Sequence, residues 1–274
     1  MNEISRAGRA DVIHAHARAL TLKTDTGSIF SLVTLSLGNG PFHVRLRTEA
    51  DLRRLGKTAQ IDWPQRLIRF PNGDVDFTHC REWKATLEWE LARSFTLPQD
   101  VLLTQDWSRQ KTALDPLDLD LFNALVLGSA DRPGSSGGPD AAALSKGLQQ
   151  RAVSLLQRGA HSIMGRGCGL TPAGDDFLLG VMMAIWLRWD DGDPEVVCKA
   201  LLESVAQQTS RLSGAFLLAA ARGAFREAWH AYFSPAITTQ AEAESHLHGM
   251  LDYGHSSGLF SLAGCQRGLQ ALTS

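Results

Sequence analysis

The chain has 274 residues, of which 44% are hydrophobic and 20% charged, and its formal net charge is -2. This composition fits a globular protein with one large domain or two of ordinary size, and it excludes a disordered chain or a strongly basic nucleic-acid binder. The N-terminal MNEISRAGRADV lacks a basic-then-apolar leader, and no apolar run approaches the roughly 20 residues of a membrane span. Cys80, Cys168, Cys198 and Cys265 form no CxxC pair. A reduced cytoplasmic protein that uses neither nucleic acid nor membrane is therefore expected.

From Asp11 to about Leu103 the pattern is β-rich. Ile29, Val33, Leu35 and Leu37 share one face of an extended stretch that follows a turn at Asp25-Thr26-Gly27-Ser28. Phe42, Val44 and Leu46 alternate with polar residues, and Gly38-Asn39-Gly40-Pro41 supplies a turn between these two stretches. Pro71-Asn72-Gly73 separates two further short strand patterns and predicts a hairpin. Short strands with frequent turns predict a small barrel or sandwich. Trp83, Leu87, Trp89 and Leu91 fit a strand or a helix equally.

Beyond about Leu114 the character is helical. Leu117, Leu121, Ala124, Leu125 and Leu127 suit a short helix. The Gly/Ser/Pro-rich segment 128–140 reads as a mobile connection or lid, and without a following Gly-Lys-Ser/Thr it is no P-loop. Helices are then predicted over 141–157, 176–189, 194–208, 213–229, 238–251 and 257–272. The fold class expected is α+β: a β-rich barrel or sandwich-like domain over 1–112, then an all-α domain over 113–274.

Within the helical half, Gly165-Arg166-Gly167-Cys168-Gly169-Leu170-Thr171-Pro172-Ala173-Gly174-Asp175-Asp176 leads into the apolar run 177–187. Glycine permits positive φ and close backbone approach, and Thr-Pro suits the start of a helix. Asp175 and Asp176 then fall in the first helical turn. A second glycine-bounded turn, Gly254-His255-Ser256-Ser257-Gly258, precedes another apolar helix. Helix N-termini attract phosphate and carboxylate groups, so two such loops point to a small-anion pocket.

Plainer roles stand beside these. Aspartate in a first turn complements the helix dipole, His255-Ser256-Ser257 suits a cap, and Arg166 suits either an anion or solvent. Cys168 has no base adjacent in sequence and reads as a small filler, while Met182, Met183 and Trp186 read as core. Gln207 to Gly214 reads as a polar connection between helices, with Arg211 facing either the same pocket or solvent.

The run GRGCGLTPAGDDFLLG (165–180), together with GHSSG (254–258), resembles the AllH-type family, formerly a domain of unknown function. Its members include a subunit of oxamate carbamoyltransferase in bacterial allantoin degradation and purine catabolism. The resemblance implies a multi-subunit transferase that interconverts oxalurate plus phosphate with oxamate plus carbamoyl phosphate. On that reading Asp175, Asp176 and His255 are catalytic. Arg166, Gly167, Gly169, Thr171, Gly174, Ser256 and Ser257 bind the anionic substrate, whether oxamate, oxalurate, carbamoyl phosphate or phosphate. Mg²⁺ is the one candidate cofactor, with Asp175 and Asp176 as its ligands. The alternatives are a non-catalytic structural or regulatory subunit of such a complex, and a stand-alone Mg²⁺-dependent lyase or hydrolase.

Overall fold

The computed structural model describes residues 8–127, 140–203 and 208–274. The segment 128–140, expected as a flexible loop, lies outside the described residues except for Asp140, as does the 204–207 part of the helix expected over 194–208. The chain divides into two compact units, Met1–Ala85 and Thr86–Ser274.

The first unit is one curled, seven-stranded sheet, a half-barrel. Its strands are β1 (Arg9–Ala15), β2 (Ala19–Thr24), β3 (Ile29–Val33), β4 (His43–Arg45), β5 (Thr58–Asp62), β6 (Leu67–Phe70) and β7 (Gly73–Asp76), in the order β4-β3-β2-β1-β5-β6-β7. Leu20, Leu22, Phe30, Leu32, Ile61, Ile68 and Phe70 are buried on it. The hairpin expected at Pro71-Asn72-Gly73 is present, with Phe70 opposite Gly73. The turn expected at 38–41 does not make a hairpin. Leu35–Leu37 is a 3-10 helix, and β4 returns parallel to β3, with Leu32 opposite Val44. Phe42 therefore sits outside the strand, at a φ of 64° and 41% exposed. Alternation alone does not distinguish a hairpin from a parallel return.

The β-rich character expected to run to Leu103 ends with β7. Trp89–Ser94 and Thr96–Leu103 are helices α1 and α2, and their apolar residues Ala92, Val101 and Leu102 join the helical core, as does Trp107. The division at Ala85/Thr86 thus lies upstream of the 112/113 boundary read from sequence. The indole of Trp107 donates to Gln266 Oε1 at 2.6 Å, tying this stretch to the far end of the chain.

Nine further helices follow among the described residues: α3 (Pro116–Leu125), α4 (Ala141–Gln149), α5 (Val153–Ile163), α6 (Ala173–Arg188), α7 (Pro194–Leu201), α8 (Arg211–Ala221), α9 (Glu227–Tyr232), α10 (Gln240–Leu251) and α11 (Ser257–Thr273). Two of the long helices expected from periodicity are broken. The 141–157 pattern divides at Arg151, which has a φ of 54°, and the 213–229 pattern divides at Gly223, with a φ of 75°. Apolar periodicity passes through both breaks because residues on each side face the same core.

α6 is apolar on every side and buried along nearly its whole length, so it forms the axis of the unit. α11 packs against it at contact distance. A Cβ on Gly180 would stand 1.9 Å from Ser261 O, and one on Gly264 would stand 2.0 Å from Phe177 O. Glycine is needed at both positions because each backbone takes the space a side chain would fill. Contacts run from Thr171 with Ser257 to Ala184 with Gly268, so the two helices run in the same direction from neighbouring N-termini. No helix among the described residues is long and apolar enough to cross a membrane.

Candidate functional site

The first glycine loop connects the end of α5 to the start of α6. Gly165, Gly167 and Gly169 all have positive φ, and Gly174 N–H donates back to Arg166 O at 2.8 Å. Pro172 is the N-cap of α6 and has no side-chain capping bond, so Thr171 stands just outside the helix rather than capping it. Asp175 and Asp176 occupy the first turn, as the sequence suggested.

The two loops meet. Thr171 Oγ1 lies 3.1 Å from Ser257 Oγ. Asp118, in the first turn of α3, accepts from Cys168 N–H at 2.9 Å and from the Ser256 hydroxyl at 2.9 Å, so one carboxylate holds both loops. Gly167 lets it approach, since a Cβ there would fall 2.8 Å from Asp118 Oδ1. Asp118 is 1% exposed. Sequence reasoning missed it, although a signal was available. Asp118 shares the buried stripe of α3 with Leu121, Phe122 and Leu125, at helical spacing, and a charged residue on such a stripe requires a partner.

The adjacent aspartates have different environments. Asp175 Oδ1 accepts from Gly165 N–H at 2.8 Å, and Oδ2 accepts from the hydroxyls of Ser213, at 2.6 Å, and Thr209. Both oxygens are thus engaged in holding the loop to α8. The 207–214 stretch, read as a polar connection, supplies those hydroxyls, and Ser210 donates to Leu170 O at 2.7 Å. Arg211 is exposed.

Asp176 is buried with fewer compensations. The hydroxyls of Ser257 and Thr171 hydrogen-bond its carboxyl, and Oδ2 has no hydrogen-bond partner among the described residues. Burial pushes its pKa up to about 8, against the two hydroxyls and the charge of Arg226. Arg226, at the N-cap of α9, is half-buried with its Nη1 enclosed, and its guanidinium lies 3.1 Å from the ring centroid of Tyr253, the residue just before the second loop. Neither Arg226 nor Tyr253 carries a sequence signal, because their proximity to α6 comes entirely from tertiary packing.

The remaining expected residues lie at the rim. His255 is 64% exposed at its side chain, with Nε2 3.7 Å from an Asp115 carboxylate oxygen. Arg166 is exposed, and its Nε donates to Ser162 O. Gly169 is exposed with open space where a Cβ would be, whereas Gly174 and Ser256 are buried. Gly174 N–H, one of the groups expected at the anion, donates to Arg166 O instead, and two neighbouring loop N–H groups also face the protein, Cys168 N–H donating to Asp118 and Gly258 N–H to Tyr253 O at 3.1 Å.

Of the two carboxylates expected to hold Mg²⁺, Asp175 has both oxygens engaged by protein donors, and Asp176 has Oδ2 without a hydrogen-bond partner among the described residues. Among the described residues no group of three or more His, Cys, Asp or Glu side chains is arranged to hold a metal.

A family model described as oxamate carbamoyltransferase subunit AllH matches residues 163–269. This stretch is similar to that family, and the rest of the chain lies outside the match. It begins at the end of α5, just before the first glycine loop, and runs into α11 past the second. The matched stretch therefore contains Asp175, Asp176, Arg226, Tyr253 and both loops, whereas Asp118 and the β unit lie outside it. No solved structure matches the chain.

Proposed function

We propose that the chain is a subunit of a carbamoyltransferase complex and that the paired N-termini of α6 and α11 form its small-anion site. The observation that carries this reading is the junction at Asp176. Two helices present their positive ends side by side, two hydroxyls converge there, and a buried carboxyl has one oxygen without a partner among the described residues. An ionised aspartate would repel an anion. A protonated one donates a hydrogen bond to it, and burial favours that form near neutral pH.

The reaction interconverts oxamate plus carbamoyl phosphate with oxalurate plus phosphate. The oxamate nitrogen bonds to the carbamoyl carbon, the carbon–oxygen bond to phosphate breaks, and the proton lost by nitrogen ends on phosphate. Thr171, Ser257 and the helix ends stabilise charge growing on the carbonyl oxygen, and Asp176 relays the proton. Asp175 positions the loop rather than reacting. Gly167, Gly169 and Gly174 shape it, Ser256 holds it to Asp118, and Arg166 and His255 guide anions at the rim. The partners are the other subunits of the complex, and no step needs Mg²⁺.

One observation favours a non-catalytic subunit: Asp175 and Asp118 spend their hydrogen bonds on the fold itself. The complex, reconstituted with its companion subunits, separates the two readings. Asp176→Asn should lower oxamate-dependent consumption of carbamoyl phosphate about 100-fold or more while the subunits remain assembled. Undiminished turnover would place the chemistry on another subunit.

A further inference from the structure

Asp118 reaches the junction from α3, upstream of the stretch that matches the family model. α3 is held alongside α11 over its whole length. Contacts step from Asp118 with Ser256, through the rings of Phe122 and Phe260 at 6.0 Å between centroids, to the guanidinium of Arg267 donating to Val126 O. Both sequences ascend together, so α3 runs in the same direction as α11 and its first turn arrives at the same junction. There the carboxylate spans the two loops. Oδ1 accepts from the N–H of Cys168, three residues before Thr171, and Oδ2 accepts from the hydroxyl of Ser256, the residue before Ser257. A Cβ on Gly167 would stand 2.8 Å from Asp118 Oδ1 and 2.7 Å from Ala173 N, so the carboxylate lies close against the start of α6 as well.

We infer that Asp118 is a positioning residue of the anion site, setting the spacing of the Thr171 and Ser257 hydroxyls, and that α3 is therefore an obligatory part of that site. The inference rests on the anion-site reading above and adds a requirement from outside the matched stretch. Donors that stabilise developing charge do so only when they are held in place beforehand. Thr171 and Ser257 stand on separate loops, and their mutual contact at 3.1 Å does not by itself orient them. The carboxylate supplies the missing constraint by binding both loops at once, and packing along α11 holds the carboxylate in turn. At 1% exposure and with a bond on each oxygen, Asp118 acts on a ligand through the loops rather than by touching it.

Oxamate-dependent consumption of carbamoyl phosphate by the reconstituted complex tests this, with kcat and KM read separately on assembled variants. Asp118→Ala should lower kcat at least about 30-fold and change KM less than about threefold, because the hydroxyls are still present but misplaced. Asp118→Asn keeps an acceptor for Cys168 N–H and a partner for Ser256, so it should restore kcat to within about threefold of wild type. Ser256→Ala cuts one arm of the bridge and should lower kcat about tenfold, and the double variant should fall no further than Asp118→Ala. Tyr232→Phe on α9 removes a buried hydrogen bond to Pro98 O, so it should lower stability and leave kcat intact, which separates positioning from loss of stability. An assembled Asp118→Ala with kcat within about threefold of wild type, or losses at Asp118 and Ser256 that multiply in full, would overturn the positioning role. Should Asp118→Ala fail to assemble, Ser256→Ala decides, and wild-type kcat there overturns it equally. Asp176→Asn keeps the two levels apart: full turnover in that variant removes the site reading and this inference with it, whereas loss there with Asp118→Ala unimpaired removes the positioning role alone.

Discussion

Replacing Asp118 with alanine should loosen both glycine loops at once. The carboxylate accepts two hydrogen bonds, from Cys168 N–H and the Ser256 hydroxyl, each at 2.9 Å. A hydrogen bond to a charged group contributes about 1.5–3 kcal/mol, so the pair sets a range of about 3–6 kcal/mol. Cys168 is only partly buried, which lets water satisfy its freed N–H and points to the lower end, about 3 kcal/mol. Asparagine at this position would behave differently. Its carbonyl can still accept from Cys168, and the Ser256 hydroxyl can rotate to accept from its amide, so Asp118→Asn should cost about 1 kcal/mol. Urea unfolding followed by tryptophan fluorescence measures both. With an m-value of about 2 kcal/mol/M the midpoint should drop by about 1.5 M for alanine and about 0.5 M for asparagine. Amide exchange at Cys168 should accelerate in the alanine variant. An alanine variant within about 1 kcal/mol of wild type would refute the idea that this carboxylate holds the loops together.

Gly180→Ala should destabilise by about 3 kcal/mol in thermal unfolding, because its Cβ would meet Ser261 O at 1.9 Å, whereas Gly249→Ala on α10, with open space at its Cβ, should be neutral or slightly stabilising. Asp176 gives stability a pH dependence of definite sign. Its folded pKa of about 8 lies above the ordinary aspartate value of 3.8, so between those values the folded state holds a proton that the unfolded state has released. Stability should therefore fall as pH rises from about 4 to 8, by up to about 6 kcal/mol for this group, and Asp176→Asn should flatten that slope in denaturation series run at fixed ionic strength. Asp175→Ala should destabilise by about 3 kcal/mol, since it removes the acceptor for Gly165, Thr209 and Ser213, and should lessen the pH slope set by Asp176, because the Asp175 charge opposes ionisation of that carboxyl.

The two loops were legible because their chemistry is local. Glycines at alternate positions, Thr-Pro and an apolar run locate a helix start without reference to the rest of the chain. That both starts meet at Thr171 and Ser257 follows from the close packing at Gly180 and Gly264, a long-range fact encoded only as small residues within apolar helices. The same gap separates Asp175 from Asp176. They are neighbours in sequence, yet their helical positions turn one toward α8 and the other toward α11, and only Asp175 also accepts a backbone N–H, from Gly165. On the sheet, the apolar pattern marked Ile29, Val33 and Val44 as extended, ran on into Leu35–Leu37 and Phe42, which are not, and left the direction of pairing open, so the parallel return had to come from the structure. Arg226 and Tyr253 remained invisible for the reason that hides most tertiary partners: each is unremarkable in its own segment.

The close seam between α6 and α11 also governs how the molecule is built. Thr171 and Ser257, which meet at its head, are 86 positions apart, so the seam closes across the whole of α7 to α10. Contacts of such long sequence separation form late and slowly. Until then α6, apolar on every face, has one side exposed to solvent or to other chains. Substitutions at the seam glycines should thus reduce the yield of folded protein before they alter any property of the folded molecule, and a holding chaperone should offset that loss.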